Sequence, residues 1–87
     1  MVKIILDCGN LYQRKQAHEY LAWMLGFPAY YGKNLDALFD CLTELGDCTI
    51  RLIGSEALRR TGGYGARVLQ VLEEAARVNP GLKLETW

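Results

Sequence analysis

The chain carries no net charge, no Cys-x-x-Cys pair, a single histidine, and no apolar run approaching the length of a membrane span. Each absence excludes something. Ten Lys and Arg balance ten Asp and Glu, so a whole-surface attraction to nucleic acid is not expected. The longest apolar stretch falls far short of the ~20 residues that cross a bilayer, so no membrane span is expected. The opening MVKIILD has neither a long apolar h-region nor a small-residue cleavage site, and does not read as a signal peptide. Three cysteines, Cys8, Cys41 and Cys48, make an odd number without an export signal. That predicts free thiols in a reducing, cytoplasmic setting. A closed zinc site would need all three thiolates to converge on His18, so neither metal nor cofactor is expected.

What is present is ordinary globular composition in 87 residues, enough for one domain (1–87) with a thin but feasible core. Residues 2–7 (VKIILD) are near-continuously apolar and predict a strand buried on both faces. The period then changes. Ala17, Tyr20, Leu21, Met24 and Leu25 form one helical stripe, ended by Gly26 in a left-handed conformation and by Pro28. After the loop 27–33, Asn34 is a good N-cap for a second helix striped by Leu35, Leu38, Phe39, Leu42 and Leu45, with Gly46 as its C′ residue. TIRLI (49–53) predicts a strand, and a short helix follows a Ser55 cap. Gly62, Gly63 and Gly65 predict a flexible surface loop; a last helix runs from about Ala66 to Val78, and LKLETW closes the chain as a strand. This alternation predicts an α/β fold, a three-stranded parallel sheet packed with about three to four helices.

The second helix carries the most informative chemistry. Asp36, Asp40 and Glu44 recur every four residues and project from one face beside the apolar stripe. Between Asn34 and Asp47 there are four acids and no base, while Arg59, Arg60 and Arg67 gather later. Like charges four apart each cost a few tenths of a kcal/mol. The helix dipole favours Asp36 and disfavours Glu44, so local stability explains the first acid and not the others. Two readings stay open: a solvated face, or a docking face for a cationic partner. Just before this helix, Tyr30 and Tyr31 offer either contact area with a polar tip or rings that plug the core. Gly32 serves a positive φ or a close backbone approach.

Other motifs point away from catalysis. TGGYGA (61–66) lacks the lysine and hydroxyl of a phosphate loop. Asp36 to Glu44 lacks the alternation and central glycine of a calcium loop. Glu73 and Glu74 can both reach Arg77, which cannot fully neutralise two carboxylates. His18 has no nucleophile nearby in sequence and reads as a surface or internally satisfied histidine; Cys41 reads as a small, partly buried hydrophobe.

Pro28, Tyr30, Tyr31, Gly32, Asn34, Leu35, Asp36, Ala37, Leu38, Asp40, Cys41, Leu42 and Thr43 read as P-x-Y-Y-G-x-N-L-D-A-L-x-D-C-L-T. That run closely resembles the barstar family of ribonuclease inhibitors. The likeness continues through Val68, Leu69, Gln70, Val71, Glu74 and Ala75 and spans essentially the whole chain. It implies a three-stranded parallel sheet with helices packed around it, and a binding module instead of an enzyme. In that family the second helix and its preceding loop plug a ribonuclease active site, acids standing in for RNA phosphates. Carried over by position, the contact set is Tyr30, Tyr31, Gly32, Asn34, Leu35, Asp36, Phe39, Asp40 and Thr43, with Glu74 from the last helix. Asp40 would take the place of the substrate phosphate. The implied partner is a small cationic secreted ribonuclease, barnase-like, in a 1:1 complex, with the free protein monomeric and making no direct contact with nucleic acid.

The chain departs from the family pattern at Phe39 and Leu45, where tryptophans are usual, and at Ala29, where a glutamate is. Its charge is balanced where the family's type member is acidic. These departures bear on which nuclease is recognised. The alternative function is a domain of the same kind used for regulation or interaction without a nuclease target.

Overall fold

The computed structural model describes residues 2–86. Three strands, β1 (Val2–Asp7), β2 (Cys48–Ile53) and β3 (Leu82–Thr86), pair in parallel in the order β1-β2-β3. Ile4, Ile50 and Leu84 share one row, and Leu6, Leu52 and Thr86 another. Four helices connect them: α1 (Arg14–Leu25), α2 (Leu35–Thr43), α3 (Ser55–Thr61) and α4 (Gly63–Val78). A 3₁₀ turn, Cys8–Asn10, precedes α1. Trp87, expected to close the last strand, lies outside the described residues.

The chain steps the same way across the sheet at both crossovers. Right-handed connections that do so bring their helices to one face and leave the other bare. Burial follows that rule. Leu6, Ile50 and Leu52 point inward and are essentially fully buried, whereas Lys3, Ile5, Arg51, Lys83 and Glu85 alternate onto the opposite face. There Arg51 Nε donates to Glu85 Oε1 at 3.1 Å, and Lys3 Nζ lies 3.6 Å from the same oxygen. The expectation that β1 is buried on both faces is therefore corrected. It is an edge strand with Ile5 half exposed, because one-sided helices cannot cover both faces. A near-continuous aliphatic run does not distinguish the two cases.

Helix α4 is the hub, packing on α2, α3 and β3. Its stripe Val68, Leu69, Leu72 and Ala75 is fully buried, as its spacing predicts. Helix α1 ends as expected, with Gly26 at φ 69° and its N–H donating to Ala22 O. Helix α3 forms, but Gly54 at φ 82° holds the cap position, and Ser55 is buried inside the first turn with no side-chain cap bond.

The predicted glycine loop is a second correction. Helix α4 already begins at Gly63, so Gly65 is a buried helical residue and not part of a flexible loop. A Cβ there would clash with the Leu58 side chain and lie 2.9 Å from the backbone oxygen of Leu11. Gly65 thus lets α4 approach α3 and the turn before α1. Gly65→Ala is expected to destabilise the fold by about 1–3 kcal/mol through overpacking. Gly46→Ala, at a position with nothing within 4 Å of the added Cβ, is expected to be near neutral. Urea midpoints at unchanged m-value check both.

Candidate protein-binding site

Helix α2 is held by features its own sequence supplies. Asn34 has extended φ and ψ, and its Oδ1 accepts the Ala37 N–H at 2.7 Å. Leu38 and Leu42 are fully buried against the core. The helix ends at Thr43, two residues earlier than its apolar stripe suggests, with Glu44 at the C-cap. Gly46 does not take a positive φ, which corrects its assignment as a left-handed C′ residue. The work falls to Asn79, whose Nδ2 donates to Leu42 O at 3.0 Å and Leu45 O at 2.9 Å.

With the leucines turned inward, the acids turn outward. Leu35, Asp36, Phe39 and Asp40 from α2, with Val71 and Glu74 from α4, line a shallow depression of about 370 Å³. A neighbouring one of about 290 Å³ is walled by Tyr30, Tyr31, Gly32, Ala37, Asp40, Cys41 and Glu44. Asp40 belongs to both, at the middle of the face. Among the described residues no lysine or arginine closes an ion pair with Asp36, Asp40 or Glu44. Among the described residues Glu74 pairs with exposed Arg77 at 3.8 Å, a solvated pair of little worth. Glu73, expected to share Arg77, pairs instead with Arg59 of α3 at 2.8 Å. Thr43 Oγ1 donates to Asp40 O at 2.9 Å, so its hydroxyl keeps only acceptor capacity for another group.

The two tyrosines separate. Tyr30 is 88% exposed, while Tyr31 is in the core with its ring 4.9 Å from that of Phe27. Of the contact set expected from the resemblance, Tyr31 is thus the member turned inward. Gly32 lacks a positive φ; that conformation falls on Lys33, at φ 53°. What Gly32 has is close approach, since a Cβ would come 3.3 Å from Ala37 Cβ.

Fully buried His18 fixes this arrangement. Its Nδ1 lies 2.6 Å from the Tyr31 hydroxyl and its Nε2 2.5 Å from that of Tyr64. In the neutral ring one nitrogen donates to a tyrosine oxygen and the other accepts a tyrosine hydroxyl. Burial, with the Arg14 charge nearby, pushes His18 below its ordinary value, and burial pushes the Tyr31 hydroxyl up. Burial acts on the thiols in the direction that disfavours the thiolate. Burial, aided by Asp7, raises Cys8 to about 11, and Cys41 and Cys48 are also raised chiefly by burial. Among the described residues no group of three or more His, Cys, Asp or Glu side chains is arranged to hold a metal ion, and no helix is long and apolar enough to cross a membrane.

A third depression, also about 370 Å³, escaped the sequence reading: Arg14, Asn34, Leu35, Asp36, Tyr64 and Arg67 line it. Helix packing alone brings Arg14 and Arg67 together. The later arginines are correspondingly divided, Arg59 being held by Glu73 while Arg67 borders the start of α2.

Because the folded state lowers the proton affinity of His18, the unfolded chain binds the proton more readily. Stability is present above the ordinary value of 6.5 and falls as pH drops below it. The unfolding free energy from urea titration is expected to decrease between about pH 7 and pH 5.5, by no more than about 1.4 kcal/mol per pH unit from this group. In His18→Gln that pH dependence is expected to flatten.

The comparisons with known proteins show the family. A family model described as "Barstar (barnase inhibitor)" matches residues 1–85. A Bacillus subtilis (strain 168) protein named "Putative ribonuclease inhibitor YrdF" is 40% identical over 78 residues, covering 86% of each chain. A parallel three-stranded sheet with an acid-bearing second helix, matched over nearly its full length by that family, places the chain in the barstar family, a family of inhibitors and not of enzymes.

Proposed function

We propose that the protein is a cytoplasmic inhibitor of a small cationic secreted ribonuclease of the barnase type, which it blocks as a 1:1 complex. The observation that carries this reading is the acidic face around one depression: Asp36 and Asp40 from α2, which close no ion pair among the described residues, and Glu74 from α4, whose partner Arg77 is solvated. A nuclease cleft built to bind RNA phosphates is cationic, and carboxylates at such spacing satisfy its cations without offering a bond to cleave. Tyr30, Gly32, Asn34, Leu35, Phe39 and Thr43 surround the acids and supply contact area and polar tips. Tyr31 acts through its core position, holding Tyr30 outward. The relative's name, a ribonuclease inhibitor, favours this reading over an interaction module without a nuclease target.

The direct test titrates the pure protein against a panel of small microbial ribonucleases, barnase included, reading both binding and residual RNA cleavage. Stoichiometric loss of cleavage is expected with at least one member, unaffected by chelator. Protection that appears only with added zinc or calcium would contradict charge mimicry.

Association is expected to be fast at low salt and to slow steeply as salt rises, because steering fields are screened within about 8–10 Å at physiological ionic strength. Stopped-flow rates across a salt series check this.

Asp40→Ala gives the sharpest test. Asp40 lies in mid-helix, where the dipole does not reward it, between like charges at Asp36 and Glu44. Removing one side of a desolvated charge pair costs about 2–5 kcal/mol, a range set by other complexes, barnase with barstar among them. The variant is expected to bind the nuclease at least about thirtyfold more weakly, on the order of 2 kcal/mol. The free protein should be as stable as the parent or slightly more so. Glu44→Ala, at the C-cap and outside the depression that holds Asp36, Asp40 and Glu74, should matter much less.

A further inference from the structure

We propose that Arg14 and Arg67 form a cationic half of the contact face, which takes a carboxylate on the partner ribonuclease. The inference rests on the inhibitor reading and specifies the partner: a nuclease with a cationic cleft and an Asp or Glu side chain at its rim.

The depression that holds Arg14 and Arg67 adjoins the acidic one and shares Leu35 and Asp36 with it. A partner seated over the acids of α2 therefore also covers the arginines. Both arginines are exposed, Arg14 as the first residue of α1 and Arg67 near the start of α4. Among the described residues neither closes an ion pair, although Asp36 lines the same depression. Two guanidinium groups against one carboxylate leave this end of the face net positive, and the N-terminal end of α2, which Asn34 caps, adds partial positive charge. The other end, with Asp40, Glu44 and Glu74, is net negative.

A complementary anion must reach the arginines without meeting those acids. An RNA strand, with a charge at every nucleotide, would be repelled by Asp36, Asp40 and Glu74 as it passed. A single carboxylate on an otherwise cationic protein satisfies both halves at once. The forked guanidinium donors suit a carboxylate in particular.

The test turns on a sign. If the arginines only sit beside the site, removing them makes the face more acidic, and association with a cationic nuclease should quicken. If they grip a carboxylate, their removal should speed dissociation. The probe is whichever ribonuclease of the panel above the parent binds, barnase tried first. Arg14→Ala with Arg67→Ala is expected to dissociate at least about tenfold faster, with its thermal unfolding unchanged. Arg14→Lys with Arg67→Lys, which keeps the charges and loses the fork, is expected to fall between parent and double alanine variant. Faster association with unchanged dissociation in the alanine variant overturns the inference and leaves the inhibitor reading standing. So does RNA binding by the free parent that the alanine variant loses. A parent that binds and inhibits no ribonuclease of the panel removes the inhibitor reading, and this inference with it.

Discussion

One buried imidazole holds together the parts that present the binding face. His18 projects from α1, and its two nitrogens meet the hydroxyls of Tyr31, in the loop before α2, and Tyr64, at the start of α4. Leaving one of those buried polar groups without a partner would cost about 1–3 kcal/mol. The loop therefore cannot drift from α1 and α4 without losing a bond that water does not readily replace. Tyr30, the next residue back, is held outward because Tyr31 is held inward. A contact loop fixed this way loses less freedom on binding than a mobile one, and that difference appears as affinity.

The same economy explains how α2 tolerates its acids. Three like charges at four-residue spacing oppose the helix by a few tenths of a kcal/mol per neighbouring pair. Against that stand Leu38 and Leu42, each fully buried and worth about 1.5–3 kcal/mol. Asn34 caps one end, and Asn79, from beyond α4, satisfies carbonyls at the other. Packing wins by a wide margin, so the outward face is free to carry charge that does nothing for the helix. Because α4 packs against α2, Glu74 comes into the same depression as Asp36 and Asp40.

Most of α2 was legible in the sequence, because cap, apolar stripe and acids all lie within twelve residues and depend on helical period alone. The strand and helix order was legible for the same reason. What was not legible depends on which element lies beside which. Glycine has two uses, and Gly62-Gly63-Tyr64-Gly65 read as flexibility although Gly65 is there for close approach to Leu58 and Leu11. Tyr30 and Tyr31 are adjacent, and no periodicity says which ring turns inward; His18 decides it from another helix. The aliphatic run of β1 suits a buried or an edge strand equally. Glu73 finds Arg59 across a helix–helix contact, in place of the Arg77 one turn away on its own helix.

A zero net charge coexists here with strong local fields. Uniform acidity would draw any cationic surface and discriminate poorly among them. A face with Arg14 and Arg67 at one end and Asp40, Glu44 and Glu74 at the other gives up part of that attraction. It gains a penalty against partners that bring a cation to the wrong end, since like charges placed together cost several kcal/mol. Opposite charges held in separate depressions of one face also orient an approaching partner, because a dipole exerts a torque where a uniform charge exerts only a pull. On the proposed reading both Asp40 and the arginines hold the nuclease, and their opposite signs fix which nuclease is accepted.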